Sequence, residues 1–281
     1  MKPAAYFEGK TVLITGAGSG IGKALSEVIM TWSPAAVVLG DIDTAAVQAN
    51  ADALGPPASA THVDVTSEDS VRRMIDGAVA DLGRLDVIIN NAGIAAGGEL
   101  QDYAFEDWRR ILDVNLWGVI YGTTLAYRHM LRQGYGHIVN VASLGGLIPE
   151  PMAAAYSASK HAVVGLTSSL REEAHARGIH VSVVCPGVID TPIFDRATYV
   201  GNVDGAAVKE GTLGHGPMRP AEAAHVICRG IARNDGVILV NPSDRLFWGL
   251  YRASPRALSP LHRYLAKYFR EHFETNANEG D

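Results

Sequence analysis

The stretch Thr11–Leu25, TVLITGAGSGIGKAL, joins a short apolar run to a helical run through a glycine-rich turn. Glycine at positions 16, 20 and 22 leaves room for a phosphate group to approach the backbone at the start of a helix. Many strand-to-helix turns are rich in glycine, so the motif alone is a weak signal. Its place directly between a strand and a helix is the context that a dinucleotide-binding turn requires.

Asp41 is a candidate for binding the adenosine ribose, because its distance along the chain from the glycine-rich turn is the one expected for that role. Asp41 follows the apolar run Ala36–Gly40 and lies about 20 residues beyond the turn. It can accept hydrogen bonds from the adenosine ribose hydroxyls and would repel a 2′-phosphate, and its neighbours supply no compensating positive charge. The sequence therefore predicts NAD rather than NADP. A purely structural role as a helix or turn cap stays open, because Asp43 and Thr44 follow.

Further apolar runs alternate with helical patterns along most of the chain. They are continuous rather than alternating, as expected when helices cover both faces of a parallel sheet. The predicted strands are Thr11–Thr15, Ala36–Gly40, Ala60–Val65, Asp86–Asn90, His137–Ala142, His180–Cys185 and Gly236–Val240. This pattern predicts an α/β fold, a doubly wound parallel sheet of seven strands of the Rossmann type, in one domain over residues 1–241.

Two segments interrupt the alternation. Residues 190–217 form a long glycine-rich connection, which we expect to be a substrate lid. Residues 242–281 form a C-terminal helical extension, which Pro255 and Pro260 are expected to break into short helices. Within it, residues 245–270 combine aromatic side chains with six Lys or Arg and no Asp or Glu. The favoured interpretation is that the helices of the extension dock on the domain or on a neighbouring subunit. Two alternatives stay open: the helices line the substrate pocket together with the lid, or they contact a membrane surface.

Composition limits the function classes. The 281-residue chain has a net charge of −6, which gives no reason to expect a nucleic-acid partner. Cys185 and Cys228 match no disulfide framework or zinc spacing and are interpreted as buried small hydrophobes. The histidines show no ligand spacing, so no metal is expected. Residues 1–9 lack the apolar core of a signal peptide and no membrane span is evident, so the expected location is cytoplasmic.

Candidate catalytic residues lie in YSASK, where Tyr156 and Lys160 are four residues apart on one face of a helix. A nearby ammonium favours the phenolate form of a tyrosine, which suits acid–base chemistry on an alcohol. The pair alone is common on protein surfaces. Ser143, however, stands at the carboxyl end of the fifth predicted strand, where ligands bind in open α/β sheets.

Over roughly residues 8–241 the sequence resembles a short-chain dehydrogenase/reductase of the common NAD-binding type. The motifs that carry the resemblance occur in the order found in that family. They are TGAGSGIG (Thr15–Gly22), Asp64-Val65, NNAG (Asn90–Gly93), Asn115, Ser143, YSASK (Tyr156–Lys160) and PGVIDT (Pro186–Thr191).

The resemblance implies a role for each motif residue. Tyr156 would be the acid/base, and Lys160 would lower its pKa and hydrogen-bond the nicotinamide ribose. Ser143 would hold the substrate oxygen, and Asn115 would continue the proton path through a bound water. Cofactor contacts would come from Gly16, Ser19, Gly20, Ile21, Gly22, Asp41, Asp64, Val65, Asn91, Ala92, Gly93, Tyr156, Lys160, Pro186, Gly187, Ile189 and Thr191. Purely structural roles stay open for Asn115 in a helix interior and for Ser143 in a turn.

The expected function is therefore hydride transfer between NAD and a secondary alcohol or ketone. The apolar and aromatic character of the lid and extension favours a bulky hydrophobic substrate, steroid-, terpene- or lipid-like. The resemblance also implies a homo-tetramer or homo-dimer. One alternative is an NAD-binding sensor without turnover, but a sensor does not need the four catalytic candidates Asn115, Ser143, Tyr156 and Lys160. The other is a different reaction, such as dehydration or epimerisation, on the same scaffold.

Overall fold

A computed structural model describes residues 1–214 and 216–273 of the chain. The described strands are β1 Thr11–Thr15, β2 Ala36–Asp41, β3 Ala58–His62, β4 Val87–Asn90, β5 Ala96–Gly97, β6 Gly136–Val141, β7 Ile179–Cys185, β8 Thr198–Tyr199 and β9 Val237–Leu239. Seven of them form one sheet in the order β3-β2-β1-β4-β6-β7-β9, and every pairing in it is parallel. The predicted doubly wound sheet is confirmed.

Helices cover both faces of this sheet. They are α1 Pro3–Phe7, α2 Gly20–Met30, α3 Thr44–Leu54, α4 Glu68–Leu82, α5 Phe105–Leu112, α6 Gly118–Gln133, α7 Ala154–Ala174, α8 Gly205–Leu213, α9 Pro220–Ala232, α10 Pro242–Ala253 and α11 Pro255–Phe273. Side chains of β1 point alternately to the two faces. Val12 and Ile14 pack with α2 and α9, whereas Leu13 packs with α4 and α6. Burial on both faces explains the continuous apolar runs in the sequence.

The predicted strand Ala60–Val65 is two or three residues out of place, because β3 covers Ala58–His62. The chain turns where Asp64 Oδ1 accepts hydrogen bonds from the Thr66 amide (2.9 Å) and hydroxyl (2.8 Å). This local side-chain bonding competes with the ladder and ends the strand early. The other predicted strands agree with the observed ones to within one residue at each end.

The segment 190–217 is not a simple loop. It contains β8 and α8, and β8 pairs in parallel with β5 through Ala96↔Thr198 and Gly97↔Tyr199. Both strands are only two residues long, too short to give a sequence pattern. The pairing holds this segment beside the loop that follows β4. Its role as a lid stays a prediction, and His215 within it lies outside the described residues.

Two helices follow the last strand. The prediction that Pro260 breaks this segment is wrong, since α11 runs through it, although Pro255 does begin that helix. Pro260 lies in the second turn and removes one backbone hydrogen bond there. Packing on both sides of it compensates, with Leu258 buried before it and the end of α11 lying against α8. The division of the chain at residue 241 stays a prediction, and residues 274–281 lie outside the described part.

The end of α11 contacts the segment 190–217 directly. The Asp204 amide donates a hydrogen bond to the Phe273 carbonyl at 2.8 Å, and a Cβ on Gly211 would meet the Phe273 ring at 2.5 Å. An ion pair also joins Arg270 to Glu99, beyond β5. The extension therefore docks on its own chain at this end.

Both cysteines are buried and free, as predicted. In the described part of the chain, none of the helices has the length and apolar character needed to cross a bilayer.

Candidate active site

The glycine-rich turn after β1 is tied to the end of β4 by side chains. Thr15 Oγ1 accepts hydrogen bonds from the amides of Asn91 (3.0 Å) and Ala92 (3.1 Å). Asn91 Nδ2 donates to the carbonyls of Thr15 (3.0 Å) and Gly16 (3.1 Å). A Cβ on Gly22 would lie 2.1 Å from the Gly16 carbonyl oxygen, so only glycine fits there. The strand order reverses between β1 and β4, which is where open sheets bind ligands.

The start of α2 is built as an anion cradle. Gly16 and Gly20 adopt positive φ angles of 67° and 53°. Ser19, the residue before α2, makes no side-chain cap, so within the described chain the first amides of α2 stay open to a ligand. A Cβ on Gly20 would lie 3.2 Å from the Thr191 side chain, which places the PGVIDT motif on the other side of this cradle.

Asp41 lies at the end of β2 against the same turn and is 9% exposed. Its Oδ2 accepts a hydrogen bond from the Gly18 amide at 2.8 Å, and its Oδ1 accepts one from the Asp43 amide at 3.0 Å. The helix-capping role falls to Asp43, whose Oδ1 accepts from the Ala46 amide at 3.0 Å. The alternative of a turn role for Asp41 therefore agrees with the structure, whereas a helix-capping role does not, and its contact with a ribose stays a prediction.

The other predicted cofactor residues lie along the carboxyl edge of the sheet. Asp64 and Val65 follow β3, and Val65 packs so closely on Gly118 that a Cβ there would meet it at 2.9 Å. Gly187, just after β7, donates its amide proton to Asn241 Oδ1 at 3.1 Å. Ile189 is 4% exposed. Their contacts with a cofactor stay predictions.

Ser143, Tyr156 and Lys160 come together at the carboxyl end of β6. Tyr156 and Lys160 lie on α7, and the Lys160 Nζ is 5.7 Å from the centroid of the Tyr156 ring. Lys160 is buried, and its Nζ donates to the Val141 carbonyl at 3.1 Å. Ser143 follows β6 and lies near enough to the Tyr156 hydroxyl to lower its pKa. Ser143 Oγ also accepts from the Gly145 amide at 3.1 Å, which fixes its position.

Burial shifts the pKa values of both Tyr156 and Lys160. Burial raises the pKa of Tyr156 above its ordinary value, the negative charge of Glu150 raises it further, and the Ser143 hydrogen bond lowers it. Burial lowers the pKa of Lys160 to about 8. Burial disfavours the charged form of both groups. An effect of Lys160 on the pKa of Tyr156 stays a prediction.

Asn115 lies in a π-helical turn, Asp113–Trp117, between α5 and α6 and is fully buried. Its Oδ1 accepts from the Ile94 amide at 2.8 Å, while its Nδ2 donates to the Ile94 carbonyl (2.9 Å) and Ser159 Oγ (3.2 Å). The side chain thus pins the loop after β4 to α7, which agrees with the structural interpretation. A proton relay through water at Asn115 stays a prediction.

Gly93 brings the two halves of the site together. A Cβ there would lie 3.2 Å from Asn115 Oδ1 and 3.3 Å from Lys160 Nζ. The NNAG turn therefore passes between the glycine-rich cradle and the catalytic candidates, and a larger residue would separate them.

Sequence reasoning missed Glu150 and Tyr103. Glu150 lies between Ser143 and α7, so near Gly145 that a Cβ there would lie 2.0 Å from its Oε2. Its side chain is exposed, yet the nearby protein partly desolvates the carboxyl and raises its pKa to about 7. Tyr103 is 9% exposed and packs in the same apolar cluster as Tyr156. The only available signal was a charged residue between two prolines just before YSASK.

The doubly wound sheet and the Ser143, Tyr156 and Lys160 group define a Rossmann-fold oxidoreductase. Residues 10–199 match the family model described as short chain dehydrogenase. The chain therefore belongs to the short-chain dehydrogenase/reductase family.

Relatives of known or inferred activity agree with this assignment. A putative oxidoreductase SadH from Mycobacterium tuberculosis is 38% identical over 240 residues, covering 83% of this chain and 87% of that protein. A 3-alpha-(or 20-beta)-hydroxysteroid dehydrogenase from the same species is 39% identical over 187 residues, covering 66% of this chain and 72% of that protein. The crystal structure of a short-chain dehydrogenase/reductase from Burkholderia phymatum in complex with NAD is 30% identical, with a TM-score of 0.82, covering 90% of this chain and 96% of that one.

Proposed function

We propose that this oxidoreductase transfers a hydride between NAD and a secondary alcohol or ketone. The observation that carries the proposal is the grouping of Ser143, Tyr156 and Lys160 beside the glycine-rich cradle, at the point where the strand order reverses. One relative was crystallised with NAD, and another is named as a hydroxysteroid dehydrogenase, and both support the same chemistry.

The cradle fits a dinucleotide, because its glycines stand where any Cβ would collide and because the first amides of α2 are available. Gly16, Ser19, Gly20, Ile21 and Gly22 would hold the pyrophosphate. Asp41 would bind the adenosine ribose, and its negative charge favours NAD over NADP. NAD supplies the hydride acceptor, and NADH the hydride donor, when bound.

The protein's own residues handle the proton. Because burial keeps the pKa of Tyr156 high, its phenol holds its proton at neutral pH and can donate it to the oxygen of a ketone. Ser143 lies beside the same phenol oxygen, so its hydroxyl is positioned to hold the substrate oxygen as well. In the oxidation direction Tyr156 must first lose its proton to solvent. The positive charge of Lys160 stabilises that phenolate, which then takes the alcohol proton and becomes a phenol again.

The apolar surroundings of Tyr156 support a bulky hydrophobic substrate. The cluster packed around its ring consists of Ile94, Ala96, Tyr103, Trp108, Ile111, Ala155 and Val200. Val200 comes from the segment 190–217, which supports a lid role for that segment. Assembly into a homo-tetramer or homo-dimer remains part of the proposal, and sedimentation measurements test it.

The test is a panel of secondary alcohols with NAD, followed by the absorbance of reduced nicotinamide. We expect turnover by the wild type and a loss of about 10²–10⁴-fold in Tyr156→Phe, with NAD affinity nearly unchanged. Substantial activity in Tyr156→Phe would contradict the assigned chemistry. NAD binding without turnover of any compound would favour the sensor alternative.

A further inference from the structure

The last strand of the sheet, β9, borders a cavity of about 390 Å³ that the proposed function does not use. α9 lies on the Ile238 face of this strand, because a Cβ on Gly230 would meet the Ile238 side chain at 2.7 Å. α10 lies on the opposite face, where Trp248 packs in the same apolar cluster as Leu239. Both helices line the cavity, so it lies across the outer edge of β9. Backbone N–H groups on the open edge of a strand are free to donate hydrogen bonds.

The charged side chains that line this cavity are three arginines and one aspartate. Arg233 donates to Asp235 Oδ2 from Nε (3.1 Å) and Nη2 (2.7 Å), so these two charges neutralise each other. In the part of the chain that the structure describes, Arg245 and Arg252 form no ion pair with a carboxylate. Two unbalanced positive charges therefore line one concave surface of a chain whose net charge is −6.

Arg245 and Arg252 share one side of α10. The seven residues between them correspond to almost two full turns, about 10 Å along the helix axis. The Arg252 guanidinium carbon lies 5.0 Å from the centroid of the Trp248 ring, and the ring itself is held by its packing on the core. This cation–π contact positions Arg252 in the absence of a ligand, which lowers the entropy cost of binding one.

The rest of the lining is apolar and leaves room for more than a bare ion. Val226 and Val237 are half-buried and border the cavity from α9 and β9. Gly249 lines it from α10, and a Cβ built there would meet no atom within 4 Å. The volume lies within the range of small-molecule sites, which combine apolar walls with a few polar groups.

We infer that this cavity binds a small phosphate monoester, whose phosphate lies between Arg245 and Arg252 and whose apolar part rests against Val226 and Val237. Guanidinium groups and the amides of a strand edge can only donate hydrogen bonds, so the ligand must supply the acceptors. A phosphate monoester carries a charge of about −1.5 to −2 at pH 7, which matches two cations. The inference is independent of hydride transfer, because it uses none of the residues assigned to that reaction.

The experiment is calorimetric titration of 1-naphthyl phosphate into the full chain with saturating NAD, which occupies the glycine-rich cradle. We expect 1-naphthol, which lacks the phosphate, and inorganic phosphate, which lacks the ring, each to bind about tenfold more weakly or less. Equal affinity for inorganic phosphate would mean an adventitious ion only. Equal affinity for 1-naphthol would remove the arginines from recognition. Either result overturns the inference.

A substitution that fills the cavity locates the binding site. Gly249→Leu places a side chain in open space without a clash and should weaken binding of 1-naphthyl phosphate by at least about tenfold. The matched control is Gly77→Leu, at an exposed glycine of α4 where a Cβ also meets nothing within 4 Å, and it should bind as the wild type does. Binding that survives Gly249→Leu unchanged belongs to another site and overturns the inference.

The role of each arginine is tested separately. Arg245→Gln and Arg252→Gln should each weaken the binding of 1-naphthyl phosphate about tenfold, because each removes a charge-assisted hydrogen bond. Arg263→Gln, at an exposed arginine of α11 outside the lining, should leave the affinity unchanged. An equal loss in all three variants would indicate a general charge effect and would contradict a defined site.

Sedimentation of the same proteins tests a different occupant of this edge, a second copy of the chain. If 1-naphthyl phosphate does not bind and Gly249→Leu changes the oligomeric state of the wild type, the cavity is an interface between copies and the inference is overturned. If the oligomeric state is unchanged and Gly249→Leu alone of the two leucine variants loses the ligand, the phosphate site stands.

Discussion

The two edges of the sheet bury titratable side chains in opposite ways. At the amino edge, Tyr6 hydrogen-bonds His137 Nδ1 (2.8 Å), His137 Nε2 bonds Ser182 Oγ (2.9 Å), and Ser182 donates to the Asp235 carbonyl (2.7 Å). At the carboxyl edge, Ser143 lies beside the buried Tyr156, while Glu150 nearby is solvent-exposed. The amino-edge group is completed by protein atoms, whereas the carboxyl-edge group leaves capacity for a ligand.

The filled network also fixes the state of its histidine. Ser182 gives its one proton to Asp235, so it must accept from His137 Nε2, and His137 Nδ1 must accept from Tyr6. Burial, followed by the charges of His180, Arg171 and Lys10, lowers the pKa of His137 well below its ordinary value. Burial therefore shifts pKa values at both edges, while the hydrogen bonds of His137 at the amino edge are completed by protein atoms.

The largest expected effect is a loss of activity from a substitution at the carboxyl edge. In Ser143→Ala the donor that holds the substrate oxygen is lost, and kcat/KM should fall about 10²–10³-fold. The midpoint of thermal unfolding should change little, because Ser143 is only partly buried. Steady-state kinetics and calorimetry on the same preparation test this. Activity near the wild-type value would remove Ser143 from the mechanism.

The matching change at the amino edge should do the reverse. His137→Phe removes the acceptor of the Tyr6 hydroxyl and leaves the buried Ser182 hydroxyl with only its bond to the Asp235 carbonyl, and the free energy of unfolding should fall by about 2–3 kcal/mol. The turnover of the folded enzyme should stay near the wild-type value. Urea unfolding measures the loss, with the exposed His175→Phe as control. A stable His137→Phe protein with impaired turnover would contradict the division between the edges.

The pH dependence of stability should report the same histidine. Above about pH 6.5 the side chain is neutral in both states, so its contribution is fully present. As the pH falls below that value, the unfolded chain binds a proton that folded His137 refuses, because its pKa is lowered. The free energy of unfolding should then drop by about 1.4 kcal/mol per pH unit, and His137→Phe should lack this part of the slope. Identical slopes in urea titrations of the two proteins would exclude the effect.

The smallest expected effect is a change in cofactor preference from a substitution at Asp41. Asp41→Asn keeps an oxygen that can accept from the Gly18 amide but removes the charge that repels a 2′-phosphate. The ratio of kcat/KM for NADP to that for NAD should rise about tenfold. Kinetics with both cofactors measure it, with Asp52→Asn on α3 as the exposed control. An unchanged ratio would mean that Asp41 stabilises the turn but does not determine the choice between NAD and NADP.

The sequence predicts the sheet well because strands that are buried on both faces consist largely of continuous apolar residues. It also predicts that Ser143, Tyr156 and Lys160 meet, since motifs at the carboxyl ends of parallel strands converge at one edge. These inferences depend on local pattern and on one general rule of topology.

What the sequence does not predict depends on tertiary contacts. The pairing of β5 with β8 involves two residues on each side, too few for any periodicity. Glu150 gains its position from a fold-back onto Gly145, which no spacing rule contains. The raised pKa of Tyr156 results from the protein packed around it, whereas the sequence displays only the nearby Lys160.

The contact between α11 and α8 has a practical consequence. The bond from Asp204 to Phe273 and the Phe273 ring against Gly211 connect the last turn of α11 to the segment 190–217. The pair of Arg270 with Glu99 connects that turn to the chain after β5. Opening that segment to admit a ligand would displace the final helix with it. A fluorescent reporter attached on the last turn of α11 would therefore sense substrate entry from outside the catalytic centre.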